Sequence, residues 1–185
     1  MTIERLSIPD VLVCTPHVFE DERGYFFESF RADQWQSILG VDVQFVQDNE
    51  SKSNKGVLRG FHYQLPPFAQ TKLVRVIKGA ILDVVVDIRK NSPTFGQHLS
   101  QVLSEKNKKQ LLVPKGFAHA FLVLEDESIV SYKVDQLYAP KFDRGIIFND
   151  PSLAIDWGVE TKELVLSKKD AALPLLKNAE IPVWD

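Results

Sequence analysis

Apolar and polar positions alternate along much of this chain with the period of two that a half-buried β-strand requires. The clearest run covers residues 81–89, where Leu82, Val84, Val86 and Ile88 fall on one face and Asp83, Asp87 and Arg89 on the other. Similar runs at 25–30, 43–47, 57–63, 72–78, 99–103, 111–113, 117–124 and 128–134 predict further strands. Turn-forming groups separate them: Asp21-Glu22-Arg23-Gly24, Ser53-Asn54-Lys55-Gly56, Pro66-Pro67, Lys78-Gly79, Ser92-Pro93 and Pro114-Lys115-Gly116. Helical pattern is confined to residues 32–39, which Gly40 would stop, and to short turns after Trp157 packed on the outside. Many short strands in one domain, residues 1–185, without repeats or linkers, predict an all-β antiparallel sandwich or barrel, read here as a jelly roll.

Composition narrows the function classes. With 44% hydrophobic and 25% charged residues the balance is that of a soluble globular domain. A net charge of -3 argues against non-specific nucleic-acid binding, so an anionic ligand has to meet a local cluster of Arg and Lys. Cys14 is the sole cysteine, which rules out an intramolecular disulfide framework and a cysteine-based zinc site. Charged residues interrupt every apolar stretch before it reaches membrane-spanning length. The start, Met1-Thr2-Ile3-Glu4-Arg5, lacks signal-peptide features, so a cytoplasmic protein without a membrane partner is expected.

Four histidines are candidates for chemistry. His17 and His98 lie in polar, turn-rich surroundings and read as surface residues, whereas His62 and His119 sit inside apolar strand segments. Taken alone, each of these two is equally well a hydrogen-bonded core histidine. Their neighbours change the balance. On a regular strand Arg59 and His62 would point to opposite faces, but Gly60 between them could supply a bulge that turns both into one pocket. Lys72 opens a strand ten residues after His62, and His119 shares a strand face with Phe117 and Phe121.

Pro114-Lys115-Gly116-Phe117-Ala118-His119 resembles the P-x-G-x-x-H half of the cupin signature. The other half supplies H-x-H and a glutamate, which with the third histidine hold a metal. Here that stretch reads His62-Tyr63-Gln64, and Gln70 stands near the glutamate's place, so amides replace two ligands and a catalytic metal is not expected. Tyr132, in a strand with Val130 and Val134, and Asp170, at a helix start, would otherwise read as a core aromatic and a solvated charge.

A longer pattern singles both out. Asp21-Glu22-Arg23-Gly24-Tyr25-Phe26-Phe27-Glu28-Ser29-Phe30, Phe45-Val46-Gln47-Asp48-Asn49 and Gly56-Val57-Leu58-Arg59-Gly60-Phe61-His62-Tyr63-Gln64 resemble the motifs of dTDP-4-dehydrorhamnose 3,5-epimerases. So do Gln70-Thr71-Lys72-Leu73-Val74, Ser92-Pro93-Thr94-Phe95-Gly96, the stretch from Gln110 to His119 and Ser167-Lys168-Lys169-Asp170, all in order. The resemblance implies a homodimeric, cofactor-free cupin jelly roll (a double-stranded β-helix) acting on dTDP-4-dehydro-6-deoxy-D-glucose on the route to dTDP-L-rhamnose. It implies that His62 is the base, Asp170 its orienting carboxylate and Tyr132 the acid on the opposite face of the sugar. By the same resemblance Lys72 and His119 lie near the reacting sugar. Arg23, Glu28, Gln47, Asp48, Asn49, Arg59, Asp143 and Lys169 contact nucleotide and sugar, and Tyr138 stacks on the thymine. Phe61, Ala120 and Asp143 depart from the usual leucine, glycine and glutamate, and none of the three removes a chemical group.

The implied chemistry suits these residue types. A C–H beside a ketone is acidic because its carbanion delocalises onto oxygen, so one C4 ketone serves inversions at both C3 and C5. Imidazole is neutral yet basic enough near pH 7 to take the proton, and a carboxylate fixes its tautomer. Lys72 would face the enolate oxygen, and Arg23 and Arg59 offer the paired donors that match diphosphate. Neither a P-loop nor a G-x-G-x-x-G fingerprint occurs, which argues against NAD-dependent epimerisation. The apolar stretch around Phe26, Phe27 and Phe30 exceeds what one sandwich edge needs, in keeping with a C2 homodimer. Three alternatives stay open: epimerisation at C3 or C5 only, a metal-dependent cupin using His62 and His119, and a non-catalytic sugar-nucleotide-binding module.

Overall fold

The computed structural model describes residues 1–39 and 43–182, so Gly40, the expected stop of the first helix, lies outside the described residues. Among the described residues, thirteen strands and two short α-helices run in the order β1 (Thr2–Arg5), β2 (Leu12–Thr15), β3 (Phe19–Asp21), β4 (Gly24–Phe26), α1 (Ala32–Leu39), β5 (Gln47–Ser53), β6 (Leu58–Gln64) and β7 (Lys72–Lys78). The chain continues with β8 (Ala80–Asp87), β9 (His98–Ser104), β10 (Gln110–Val113), β11 (Phe117–Val123), β12 (Ser128–Val134), β13 (Asp143–Gly145) and α2 (Lys168–Ala171). A six-stranded sheet has the order β1-β2-β10-β7-β12-β5 and a five-stranded sheet the order β13-β6-β11-β8-β9, with β3 and β4 forming a separate hairpin. Every strand pairing within the sheets is antiparallel, which makes this the double-sheet jelly roll expected, of cupin type.

The alternation of side chains explains three apolar layers. Inward residues of both sheets, among them Val74, Leu111 and Val130 from one and Ile81, Val85, Leu103 and Phe121 from the other, form the central core. The outer face of the five-stranded sheet carries Phe61, Val84, Val86 and Leu122 and is covered by Ile146, Phe148 and Trp157 of the C-terminal segment. The outer face of the six-stranded sheet, with Leu12, Leu73 and Leu112, is covered by Trp35 of α1. Burying each such side chain contributes on the order of 2 kcal/mol, so the sandwich is held from three sides.

The pattern of residues 81–89 therefore has another meaning than one wet face. Asp83 and Asp87 are fully buried, because both faces of β8 are covered. Asp87 is consumed by Arg89, Ser92 and Thr94 in the loop that follows. Two predicted strands are corrected. The run 43–47 is mostly loop, and the strand is β5 at Gln47–Ser53, a polar segment (QDNESKS) that hydrophobic patterning does not register. Phe45 stays apolar because it packs against Phe30 in the outer layer, ring centroids 5.5 Å apart. The run 25–30 shortens to β4, since the chain leaves its hairpin to place Phe30 there. His17 is exposed as expected, whereas His98 is half-buried on β9. Among the described residues, no helix is long and apolar enough to cross a membrane.

Candidate active site

One irregular strand organises the site. β6 pairs with β11 so that His62 lies opposite His119 and Arg59 opposite Phe121. Three steps along β6 thus match two along β11, and the extra residue is the bulge that Gly60 was expected to supply. Gly60 has φ of +114°, and a Cβ there would stand 2.5 Å from the His119 carbonyl oxygen. Glycine alone fits that approach. The bulge lets Arg59 and His62 both face a cavity of about 600 Å³ between the sheets, within the usual size of small-molecule sites.

His62 is paired with a carboxylate, its Nε2 lying 2.6 Å from Asp170 Oδ1. Asp170 arrives on α2, whose N-cap Ser167 accepts the Asp170 backbone N–H through its hydroxyl at 3.0 Å. Burial by itself would raise the Asp170 carboxyl, but the His62 ring, Ser167 and the Gly60 N–H together hold it below its ordinary value. Across β11 stands a second pair that sequence reasoning missed: His119 Nε2 lies 2.9 Å from both carboxylate oxygens of Asp83. A carboxylate in the middle of an apolar strand was the signal that could have found it.

The facing sheet supplies a lysine and a tyrosine. Lys72, the first residue of β7, is 8% exposed, and its ammonium donates to the His62 carbonyl at 3.4 Å. Burial pulls it down to about 8, against the attraction of Asp83 and Asp143. Tyr132 points inward from β12 beside the core, and burial raises its hydroxyl in spite of the nearby Arg59. His62 and Tyr132 therefore line one cavity from opposite walls.

The remaining residues form the rim. Gln47 and Asn49 line the cavity from the inward face of β5 and are bonded to each other at 2.8 Å. Arg59 donates to the Ser53 hydroxyl at 3.0 and 3.2 Å. Asp143 accepts from the Tyr138 hydroxyl at 3.0 Å and pairs with Lys169 through the same oxygen. Eleven of the residues singled out in the sequence thus line one cavity; Arg23, Glu28 and Asp48 do not. Arg23 sits in the turn of the β3–β4 hairpin, its side chain 85% exposed beside Asp21. Glu28 is exposed near Arg31, and Asp48 pairs with Lys133 on the outer face of β5.

Comparisons with known proteins give a consistent set of relatives. A family model described as dTDP-4-dehydrorhamnose 3,5-epimerase matches residues 5–178. The dTDP-4-dehydrorhamnose 3,5-epimerase of Shigella flexneri is 52% identical over 170 residues, 92% of this chain and 93% of that protein. That of Escherichia coli K12 is 51% identical over 173 residues, covering 94% and 93%. Among solved structures, dTDP-6-deoxy-D-glucose-3,5-epimerase of Legionella pneumophila, in complex with dTDP-4-keto-L-rhamnose, is 44% identical. It superposes with a TM-score of 0.95, covering 100% of this chain and 98% of that one.

Proposed function

We propose that this chain, which belongs to the dTDP-4-dehydrorhamnose 3,5-epimerase family, inverts C3 and C5 of dTDP-4-dehydro-6-deoxy-D-glucose within its inter-sheet cavity. The observation that carries the mechanism is the placement of a carboxylate-bound imidazole and a phenol on opposite walls, with a buried ammonium among them. His62 takes the proton from carbon while ionised Asp170 holds its tautomer and balances the imidazolium. The electron pair moves onto the C4 oxygen, where the buried Lys72 ammonium stabilises the enolate. Tyr132 delivers a proton to the other face of the ring, which completes the inversion. His119, fixed by Asp83, contacts the sugar beside these groups. Once His62 has released its proton to solvent and the Tyr132 phenolate has regained one from it, the same machinery acts at the second carbon flanking the ketone.

Arg59, held by Ser53, meets the diphosphate, and Tyr138 offers its ring to the thymine at the cavity mouth. Arg23 and Glu28 cannot serve the cavity of their own chain as it stands. A C2 homodimer would bring the hairpin of a second copy to that mouth. Phe19, Tyr25 and Phe26 on this hairpin are 58%, 57% and 66% exposed, an apolar surface suited to such an interface. A monomeric mass by light scattering at micromolar concentration would end the dimer proposal. The enzyme is expected to work in the cytoplasm without a metal, and loss of activity in EDTA restored by one metal would overturn the latter.

The decisive experiment is an NMR spectrum of the 4-keto substrate incubated with enzyme in D2O. Deuterium at both C3 and C5 is expected; deuterium at one carbon would make the chain a monoepimerase, and at neither would refute proton transfer.

A further inference from the structure

The loop that carries Tyr138 is held by side-chain amides. Gln70 Nε2 donates to the Gln136 carbonyl at 2.8 Å, and Gln64 Nε2 donates to the Leu137 carbonyl at 3.2 Å. The Gln64 amide also donates to the Phe68 carbonyl at 2.7 Å and accepts the Ala139 N–H at 2.7 Å. The Tyr138 N–H itself donates to Gln47 Oε1 at 3.0 Å. At the loop's start the Thr71 N–H donates to Asp135 at 2.7 Å, and Asp135 pairs with Lys115 at 3.0 Å. Backbone groups at 136, 137, 138 and 139 are thus each tied to a glutamine.

The Tyr138 ring is in the opposite condition. It is 54% exposed and packs on no other ring among the described residues; its hydroxyl bond to Asp143 is its one polar tether. An exposed aromatic gains little rigidity from burial, so its position is inherited from its backbone. Gln64 is 4% exposed, and a buried amide with all these partners is costly to disturb. Its two amide hydrogens go to the Leu137 carbonyl in this loop and to the Phe68 carbonyl between β6 and β7, leaving it no donor for a ligand.

We propose that Gln64 and Gln70 are positioning residues for Tyr138, fixing its ring at the cavity mouth as the face on which the nucleobase of the substrate lies. The proposal rests on the nucleotide-sugar reading above. It also accounts for amides at the two positions where a metal-binding cupin pattern would place ligands: each bonds to the backbone of the loop.

The test is a double-mutant cycle on dTDP affinity, measured by calorimetry, with kcat and KM on the 4-keto sugar alongside. Gln70→Leu should weaken dTDP binding and raise KM about three- to tenfold, the size of one lost hydrogen bond, with kcat within about twofold. Gln64→Glu, which keeps the acceptor but loses both donors and sets a carboxylate against two carbonyls, should weaken binding and raise KM at least as much, with kcat again within about twofold. In a Tyr138→Ala background, itself weaker in binding, either change should add less than about twofold. A full effect persisting in that background would mean direct ligand contact and overturn the proposal, as would Tyr138→Ala binding dTDP like the wild type. A fall in kcat at constant KM would also overturn it. Gln70 is only half-buried, so Gln70→Leu carries the test if Gln64→Glu does not fold. Wild-type protein that neither binds dTDP nor turns over the sugar would instead refute the nucleotide-sugar reading.

Discussion

Two histidine–aspartate pairs stand opposite each other across β6 and β11, and their surroundings differ. In His62–Asp170 the imidazole side chain is 32% exposed and the carboxylate comes from the C-terminal segment, 108 residues away in the chain. In His119–Asp83 the values are 7% and 0%, and both residues sit on adjacent strands of one sheet. A base that gains and loses charge in every turnover needs access to substrate and a partner that stabilises the cation. The first pair has both. The second is a dry, doubly bonded arrangement suited to holding a fixed hydrogen-bonding group in the cavity wall. On the proposed mechanism the same pair of side chains serves proton transfer in one place and geometry in the other.

The largest expected effect separates the two. His62→Ala should lose about 10²- to 10⁴-fold in both inversion and deuterium uptake from D2O, while His119→Ala keeps measurable exchange. Equal loss of exchange in both variants would erase the distinction. Tyr132→Phe should exchange hydrogen at C3 or C5 faster than it inverts configuration, because His62 can still remove a proton and return deuterium to the original face. Inversion at the wild-type rate would remove the tyrosine from the mechanism.

The bulge that sets the two histidines in register gives the next effect. Gly60→Ala should lower the unfolding free energy by roughly 2 kcal/mol or more, since its Cβ meets the His119 carbonyl at a positive φ. Denaturation together with kinetics would check this, and unchanged stability would mean that the strand pair relaxes without cost. A milder effect comes from Lys72. With its ammonium titrating at about 8, activity should decline above that pH, and a conservative variant should shift or remove that limb. Stability should move the other way: between about 8 and the ordinary lysine value the unfolded chain binds more protons than the folded one. This group's contribution to stability therefore rises with pH across that window, and calorimetry against pH would show the opposed trends.

Much of this was legible before folding. Alternation marked β7, β8, β11 and β12, and glycine between Arg59 and His62 announced the bulge, because both depend on local stereochemistry. β5 was misplaced by several residues, since it is a polar strand whose inward face lines a cavity rather than a core. Asp83 reads in the sequence only as a polar-face residue of a correctly placed strand, because its worth depends on a histidine 36 residues away. Gln64 and Gln70 were noticed only as ligands a metal would lack.

By itself the sequence determined the class of fold, the family and the types of group available for catalysis. Those follow from periodicities, turn residues and ordered motifs that lie along the chain. Only the tertiary structure decided which other polar residues meet: that Asp83 takes His119, that three amides hold one tyrosine, and that Arg23 and Glu28 stay outside the cavity of their own chain. Hydrogen bonds over long sequence separation leave no local trace, because directional contacts form only after apolar burial has brought the strands together.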